Sequence, residues 1–515
     1  MTLLRRFLQA ALALYIAAVL VLRGGAERGA GIVVPALCFA ALAAGCFLLL
    51  GRLAANPPPF GPYCRRERGK LPLKMFLCVF AGVFAVLLLG LLANYPGRVS
   101  PDTAYQWEQV LSGQYTSIHP PAHTWLIYLV TLPWRNYTFF LAAQAAAFAA
   151  ACAHMAATLA AWGFRPCLAV PVSVACAVTS ATRGMLLYAW KDTALSVFAL
   201  YLAVCLVNIY LSGGAWLQKR GNIAALAALL ALATLMRHNA FFLTLPLAGA
   251  LVIAYKRRAA VACLAAAAAV LAVTQGAYRL AGVVSYGQQT FTESVGLPMT
   301  VLTGIMVNEP WALDEGAREL LLKAAPEDEW RKYYRKGDYN GVKGNLPVSA
   351  TLYAESSPAQ VLGYAFRAAL RAPAQALDEI TELTRMVWDP LSAERGQRYG
   401  APGGASPRFA PAAALYARTD AVLRLLTPSG ALASIGLHLL LLTLAGYIAV
   451  QKAHGAASLA LSLPPVTYSL GTMLLLCGND YRFFHFVTVV GLPLTLALLA
   501  RRKPENGQSP EALGN

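Results

Sequence analysis

Residues 71–124 read LPLKMFLCVFAGVFAVLLLGLLANYPGRVSPDTAYQWEQVLSGQYTSIHPPAHT, a long apolar run followed by a polar loop. The run from Leu71 to Leu92 is long enough to cross about 30 Å of hydrocarbon as a helix. The loop from Tyr95 to Thr124 carries a carboxylate, Asp102, just past a turn, and a second apolar run follows from Tyr137 to Ala161. We therefore expect two membrane helices that hold this polar loop at one membrane face.

The composition of the whole chain extends this expectation. Hydrophobic residues make up 58% of 515 positions and charged residues 13%, whereas a soluble domain carries about 25% charged residues. The other apolar runs are rich in Ala and Leu and lack the alternation of a membrane strand, so helices must satisfy the backbone. The sequence predicts an all-α polytopic membrane protein.

The formal net charge of the chain, +18, has two interpretations. In a soluble protein it would suggest nucleic acid. Here most basic clusters lie in short loops between apolar runs, where Lys and Arg mark the cytoplasmic side, so no nucleic-acid partner is expected. Ten cysteines are present and none forms a CxxC pair, which indicates neither a disulfide scaffold nor a zinc site.

Assigning the basic loops to the cytoplasm gives about twelve spans with both termini inside. The first run, Phe7–Leu22, follows two arginines but precedes no convincing cleavage site, so we expect an uncleaved span. The predicted spans are 7–22, 31–50, 71–92, 137–161, 168–181, 193–211, 222–236, 240–254, 261–280, 431–450, 457–476 and 483–499. Two of them, 168–181 and 222–236, are short for a crossing and are expected to line a cavity.

The expected organisation has five parts. They are a two-span segment with its basic loop (1–70), a transmembrane core (71–280) with the first outer loop at 95–136, a hydrophilic extracytoplasmic domain (281–428), a three-span segment (429–503) and a disordered tail (504–515). Helical patterns in the hydrophilic domain cover Leu313–Ala324, Gln360–Leu370 and Ala374–Val387. The Gly/Pro-rich stretch from Gly396 to Pro407 is expected to be a mobile loop.

Asp102 is the most informative polar residue. Ser100 and Pro101 resemble the N-cap and first position of a helix, and Gln106 lies on the same helical face as Asp102. A carboxylate at a pocket mouth can accept a proton from a hydroxyl. The alternative is that Asp102 only stabilises a helix N-terminus, worth about 0.3–1 kcal/mol.

Other polar groups fall on the same predicted face. His119 and His123 flank the double proline and are candidates for phosphate or metal binding, although a third metal ligand is not evident nearby. Arg237 and His238 interrupt an apolar stretch, and an intramembrane charge is a functional candidate, the alternative being an interfacial hairpin tip. The remaining candidates are Arg183, Lys191 with Asp192, which together also suggest an internal ion pair, and Arg482.

These motifs resemble one family. YPG at Tyr95–Gly97, Asp102-Thr103, Gln106, Gly113 and HPPAHT at His119–Thr124 are similar to the first outer loop of a poorly characterised group of bacterial multi-spanning proteins in the GT-C glycosyltransferase superfamily. Further matches are Lys191-Asp192, Arg237–Asn239, the set Trp330, Tyr333, Asp338 and Lys343, and Asp480–Arg482. The order and spacing of these short motifs, from Tyr95 onward, carry the resemblance.

The resemblance implies a GT-C fold in the bacterial cytoplasmic membrane. The activity it implies is inverting transfer of a sugar from a polyprenyl-phosphate donor to a glycan, lipid or protein acceptor outside the cytoplasm. Asp102 corresponds to the acidic catalytic residue, with Gln106, His119 and His123 lining the acceptor pocket. Arg237, His238, Lys191, Arg183 and Arg482 are the candidate ligands of the donor phosphate. Asp102 has no acidic neighbour before Glu108, so a divalent metal is possible but not indicated.

Two other classes remain open. A transporter or flippase of lipid-linked sugars would place charges within the spans and on both faces, whereas here they gather on one face. A ligase or polymerase of surface polysaccharide would share the face and the donor type.

Overall fold

The computed structural model describes residues 2–23, 33–55, 61–285, 287–392, 409–451 and 455–502. It is about 79% helical, and the strands among the described residues are a parallel pair of two residues each, β1 (Tyr63–Cys64) and β2 (Arg501–Arg502). The all-α expectation is therefore confirmed. The predicted mobile loop at 396–407 and the predicted tail from 504 lie outside the described residues.

Helices occupy most of the first 280 residues. They are α1 (Thr2–Arg23), α2 (Val33–Ala55), α3 (Leu73–Ala93), α4 (Pro101–Ser112), α5 (Pro121–Val130), α6 (Tyr137–Ala161), α7 (Pro166–Val174), α8 (Ser180–Met185), α9 (Lys191–Leu211), α10 (Arg220–Met236), α11 (Phe241–Tyr255), α12 (Arg257–Leu271) and α13 (Tyr278–Leu280). The rest of the chain forms α14 (Gly287–Ser294), α15 (Gly296–Asn308), α16 (Glu315–Ala324), α17 (Glu327–Tyr333), α18 (Asn340–Lys343), α19 (Val348–Glu355), α20 (Pro358–Arg371), α21 (Pro373–Trp388), α22 (Ala410–Leu426), α23 (Ser429–Leu432), α24 (Ile435–Ala449), α25 (Gly455–Met473) and α26 (His485–Leu498).

Eight helices in the described part of the chain are long and apolar enough to cross a membrane. They are Leu3–Arg23, Leu37–Ala55, Leu73–Ala93, Tyr137–Ala161, Lys191–Leu211, His238–Tyr255, Arg257–Leu280 and Tyr481–Leu498. Each coincides with a predicted span. The other four predicted spans are not among these eight, so the twelve-span topology stays a prediction.

The central helix of the membrane region is α9. It contacts α6, α10, α25 and α26, and 89% of the residues in its apolar stretch are buried. A helix that is apolar on every side is stable only when surrounded by other helices. The burial of α9 fixes the position of its first residues, Lys191 and Asp192.

The polar loop after α3 forms two short helices. Ser100 caps α4, because its hydroxyl accepts from the Thr103 amide while the Thr103 hydroxyl accepts from the Ser100 amide. This confirms the predicted N-cap. Gly113 ends α4 in the left-handed region, with φ 72°, where glycine carries no Cβ penalty. The helix α5 starts at Pro121, so the double proline separates His119 in the loop from His123 on the helix.

The short predicted span 168–181 is not one helix. It is divided into α7, a 3-10 turn at Cys176–Val178 and α8. Pro171 lies inside α7, and proline removes one helical hydrogen bond. The segment therefore turns within the protein and buries Arg183, which is 2% exposed.

The hydrophilic domain has a hydrophobic core of its own, which includes Trp330, Tyr339 and Met299. It docks on the loop between α25 and α26 through close backbone approaches. A Cβ added at Gly296 would overlap the backbone carbonyl of Leu476, so glycine is required there. A Cβ added at Gly478 would meet the side-chain ends of Asn340 and Asp338, which would have to shift.

Candidate functional site

Asp102 contacts two cations that come from distant parts of the chain. Its Oδ2 lies 3.0 Å from Arg482 Nη1 and 3.4 Å from Lys191 Nζ. The side chains of Asp102, Lys191 and Arg482 are 26%, 14% and 12% exposed, so the cluster is largely shielded but not closed to solvent. We call these three residues the charged cluster. It joins the first turn of α4, the first residue of α9 and the 3-10 turn at Tyr481–Phe484.

The two cations keep Asp102 ionised. Burial alone would raise its pKa, but the charges of Lys191 and Arg482 outweigh burial and hold the pKa of Asp102 well below its ordinary value. In the described part of the chain, both ion-pair contacts of Asp102 end on Oδ2. The second carboxylate oxygen, Oδ1, takes part in neither of these ion pairs.

His119 extends the charged cluster. Its Nδ1 lies 3.3 Å from Lys191 Nζ, and its ring meets the Tyr105 ring edge-on. Burial, together with the Lys191 charge, lowers the pKa of His119 to about 3. At neutral pH the ring is uncharged, so Nδ1 accepts a hydrogen bond from the Lys191 ammonium.

Arg482 is held by neighbours on several sides. Its Nε lies 2.8 Å from Asp480 Oδ2, and its guanidinium lies over the Trp190 ring at 5.4 Å from the centroid. Trp190 in turn donates from Nε1 to Ser100 Oγ at 2.8 Å, which ties it to the start of α4. A guanidinium fixed in this way has little freedom to lose when it binds an anion.

The predicted Lys191–Asp192 ion pair is not formed. Lys191 pairs with Asp102, whereas Asp192 lies 2.7 Å from Arg237 Nη1. Adjacent residues at a helix start point in different directions, so the two charges find separate partners.

Arg237 is a buried structural group rather than an open phosphate ligand. It is 9% exposed, and Nη1 also donates to Tyr468 Oη at 2.8 Å and to the Phe483 carbonyl at 3.3 Å. These bonds tie the end of α10 to α9, α25 and the turn that carries Arg482. Its neighbour His238 is exposed and lies with Nε2 3.2 Å from the Ser117 carbonyl oxygen, at the rim of the first outer loop.

Arg183 does not join the charged cluster. It is buried, forms an ion pair with Asp420 of α22 and lies 5.7 Å from the centre of the Tyr416 ring. The expected role of Arg183 in donor binding stays a prediction, because its observed partner is Asp420 and not Asp102. Its contacts fasten α22 to the membrane region.

Gln106 and His123 lie behind the cluster rather than in an open acceptor pocket. Gln106 is 1% exposed and His123 is fully buried. Gln106 Oε1 lies 3.2 Å from His123 Nδ1, and its Nε2 donates to Thr124 Oγ1 at 3.0 Å. These bonds join α4 to α5 and support the turn that presents His119.

The hydrophilic domain adds charges that sequence reasoning missed. Lys343, in a motif noted above, lies with Nζ 2.8 Å from Oε1 of Glu293. Cys477 Sγ donates to Glu293 Oε2 at 3.5 Å, only three residues before Asp480. Burial favours a raised pKa for Glu293, but Lys343 outweighs it, and Lys191 contributes to the net lowering of this pKa. Glu293 therefore lies within electrostatic reach of the charged cluster, although no local pattern around it indicated this.

Among the residues that the structure describes, no three His, Cys, Asp or Glu side chains are grouped to hold a metal ion. The possible divalent metal stays a prediction. Comparisons with protein-family models, curated proteins and solved structures find no match.

Proposed function

We propose that this protein is a membrane glycosyltransferase that moves a sugar from a polyprenyl-phosphate donor to an extracytoplasmic acceptor. The observation that carries the proposal is the charged cluster, in which Asp102, Lys191 and Arg482 meet at the ends of membrane-associated elements. The arrangement puts one carboxylate beside two cations in a largely shielded cleft. Those are the groups that transfer from an anionic leaving group requires.

The cations would bind the phosphate of the donor. A phosphodiester carries negative charge that grows on the leaving oxygen as the sugar departs, and fixed cations in a poorly hydrated site stabilise such charge strongly. Arg482 offers a planar fork and Lys191 a compact charge. His238 at the rim and neutral His119 next to Lys191 are placed to donate or accept further hydrogen bonds.

Donor binding would also change Asp102. When the phosphate takes over Lys191 and Arg482 as partners, the carboxylate loses the charges that lower its pKa. Its basicity then rises toward the range in which a carboxylate accepts a proton effectively.

In the proposed step, the acceptor oxygen forms a bond to the anomeric carbon while the bond from that carbon to the phosphate oxygen breaks. The bonding pair leaves on the phosphate, giving polyprenyl phosphate held by Lys191 and Arg482, and the proton of the acceptor hydroxyl passes to Asp102. Attack from the side opposite the phosphate inverts the configuration at the anomeric carbon.

A cavity in the membrane region supports a lipid donor. Its volume is about 410 Å³, and its lining is almost entirely apolar, with Phe7, Tyr15, Trp388, Leu463 and Met473 among the residues. An apolar cavity of this kind stays dry, and in a bilayer hydrocarbon can enter it. It borders α25, the helix whose Tyr468 bonds Arg237.

A cell-free assay with labelled polyprenyl-phosphate hexoses tests the proposal and separates it from transport. The purified protein is placed in sealed proteoliposomes, and the label is followed both across the bilayer and onto acceptors. Appearance of the sugar on a new acceptor or in water supports transfer. Movement of intact lipid-linked sugar across the bilayer, with no cleavage, contradicts it and favours a flippase. With a polyprenyl-linked oligosaccharide as a second donor, transfer of the whole chain in preference to a single hexose would identify a ligase.

A further inference from the structure

The pair Glu293–Lys343 forms a second charged group. Lys343 Nζ lies 2.8 Å from Glu293 Oε1, and the Lys343 side chain is 20% and that of Glu293 49% exposed. Glu293 lies in the last turn of α14 and Lys343 ends α18, so both come from the hydrophilic domain. The pair is thus carried by a different part of the chain from the charged cluster.

Several contacts link this part of the hydrophilic domain to the two loops that carry the charged cluster and His119. Cys477 bonds Glu293, and the Cys477 carbonyl accepts from the Asn340 amide at 3.1 Å. The same loop then carries Asp480 and Arg482 into contact with Asp102. On another side, the backbone of Val284 pairs with Tyr115 and Ser117 of the first outer loop, which brings the start of the hydrophilic domain beside His119.

We propose that Glu293 and Lys343 bind the acceptor, and that the acceptor carries neighbouring hydroxyl groups, as a sugar or polyol does. This inference rests on the proposed glycosyltransferase function and deepens it by naming the acceptor class. A carboxylate accepts a hydrogen bond from one hydroxyl while an ammonium donates to the next oxygen. A lipid alcohol or a protein serine presents one hydroxyl, so it would bind either the carboxylate or the ammonium but not both.

The surroundings of Glu293 fit a binding role. The charged or titratable groups that act on it include Lys343, Cys477 and Lys191, and Tyr339 lies close to Glu293 and Cys477. Burial alone would lower the pKa of Lys343, but Cys477 and Glu293 raise it, so the ammonium keeps its charge. The pair therefore presents a fixed acceptor and a fixed donor, whereas the cations of the charged cluster serve the donor phosphate.

The test compares acceptors on one donor. Purified protein in nanodiscs receives the labelled polyprenyl-phosphate hexose that it cleaves, together with methyl α-glucoside, glycerol or 1-propanol as probe acceptors. The wild-type protein should glycosylate the two polyols in preference to 1-propanol. Glu293→Gln should raise the KM for methyl α-glucoside by about tenfold or more, since bonds to charged groups are among the stronger ones. The ratio of transfer to glucoside over transfer to water should fall by a similar factor, which makes the loss specific to the acceptor.

Matched variants keep the outcome interpretable. Lys343→Gln should raise the KM for the polyols in the same direction. Glu319→Gln removes a carboxylate from an exposed ion pair with Lys323 in the same domain and should change nothing. Equal use of 1-propanol and glucoside by the wild type, or an equal loss of donor cleavage and acceptor use in Glu293→Gln, would overturn the acceptor assignment. No cleavage of any donor by the wild type would instead contradict the proposed function itself.

Discussion

Arg482 Nη1 lies 3.0 Å from Asp102 Oδ2, although 380 positions separate the two residues in the chain. Lys191, from the middle of the sequence, reaches the same carboxylate oxygen. An ion pair between groups that are this well shielded is held by the surrounding fold, because leaving one partner alone would cost several kcal/mol. The packing of α4, α9 and the turn before α26 therefore determines the geometry of the site.

Asp102→Asn should remove the base while keeping the shape of the side chain. We expect kcat for sugar transfer to fall by roughly 100- to 10,000-fold, the usual contribution of a positioned proton acceptor. Binding of polyprenyl phosphate should persist, because both cations remain. Glu108→Gln, in the same helix but exposed, is the control. Full activity in Asp102→Asn would exclude Asp102 as the base.

Lys191→Met should change the pH dependence of transfer. Lys191 lowers the pKa of Asp102 in the donor-free protein, so its removal raises that pKa. The acid limb of the kcat/KM profile, which reports the donor-free protein, therefore moves to higher pH. The KM for the donor should also rise, because one phosphate ligand is lost. Lys323→Met, an exposed lysine of the hydrophilic domain, should leave the profile unchanged. An acid limb that stays in place would show that Asp102 does not govern it.

His119 should contribute to a loss of stability in mild acid. Its pKa in the folded protein is lowered to about 3, below the ordinary value of about 6.5. Between these values the unfolded chain binds a proton that the folded protein does not, so stability falls as pH falls through this window, by up to about 1.4 kcal/mol per pH unit. His119→Asn should reduce the drop in the thermal midpoint between pH 7 and pH 5. An unchanged drop would contradict the burial of a neutral ring.

Arg237 should be essential for folding rather than for donor binding. Arg237→Met leaves Asp192 buried without its partner, and we expect a loss of about 3–5 kcal/mol in unfolding free energy. The double variant Arg237→Met, Asp192→Leu should regain much of this loss. If the single variant is as stable as wild type and only its donor KM rises, Arg237 is a phosphate ligand after all.

Gly478→Ala should disturb the docking of the hydrophilic domain. The added methyl group would overlap the side-chain ends of Asn340 and Asp338. Moving Asp338 breaks the bond that its Oδ1 accepts from the Asn340 amide, at a cost of about 0.5–1.5 kcal/mol. Because the same loop continues to Asp480 and Arg482, transfer activity should fall as well. Gly184→Ala, where the added Cβ meets nothing within 4 Å, is the matched control. Unaltered activity in Gly478→Ala would show that docking of the hydrophilic domain does not determine the geometry of the charged cluster.

Labelling by an impermeant maleimide tests the predicted orientation. Gln114 is exposed in the first outer loop, and Gln114→Cys should react in intact cells whose outer membrane has been permeabilised. The native Cys167, exposed at the start of α7, lies on the predicted cytoplasmic side and should react only after the inner membrane is opened. Protection of residue 114 in intact cells would place the cleft in the cytoplasm.

Much of the fold follows from local patterns. Inside a membrane the backbone can form hydrogen bonds only with itself, so apolar runs of sufficient length predict helices. The eight long helices all fall on such runs. Ser100 and Pro101 predict the start of α4 because their chemistry is local. The same reasoning predicts that Asp102 lies near an outer face, but it does not predict the ion-pair partners of Asp102.

The pairing of charges did not follow from the sequence. Arg183, Lys191, Arg237 and Arg482 have similar local settings, yet two of them reach Asp102 and two are buried against Asp192 and Asp420. Partner choice depends on how helices pack, and sequence neighbours such as Lys191 and Asp192 diverge because their side chains leave the helix in different directions. Glu293 was missed for the same reason.

The most direct test measures formation of polyprenyl phosphate from a labelled polyprenyl-phosphate hexose by the purified protein. The account predicts that the wild type cleaves the sugar–phosphate bond, that Asp102→Asn is slower by roughly 100-fold or more, and that Glu108→Gln matches the wild type. Equal rates in the wild type and Asp102→Asn, or no cleavage of any such donor by the folded wild-type protein, would contradict it.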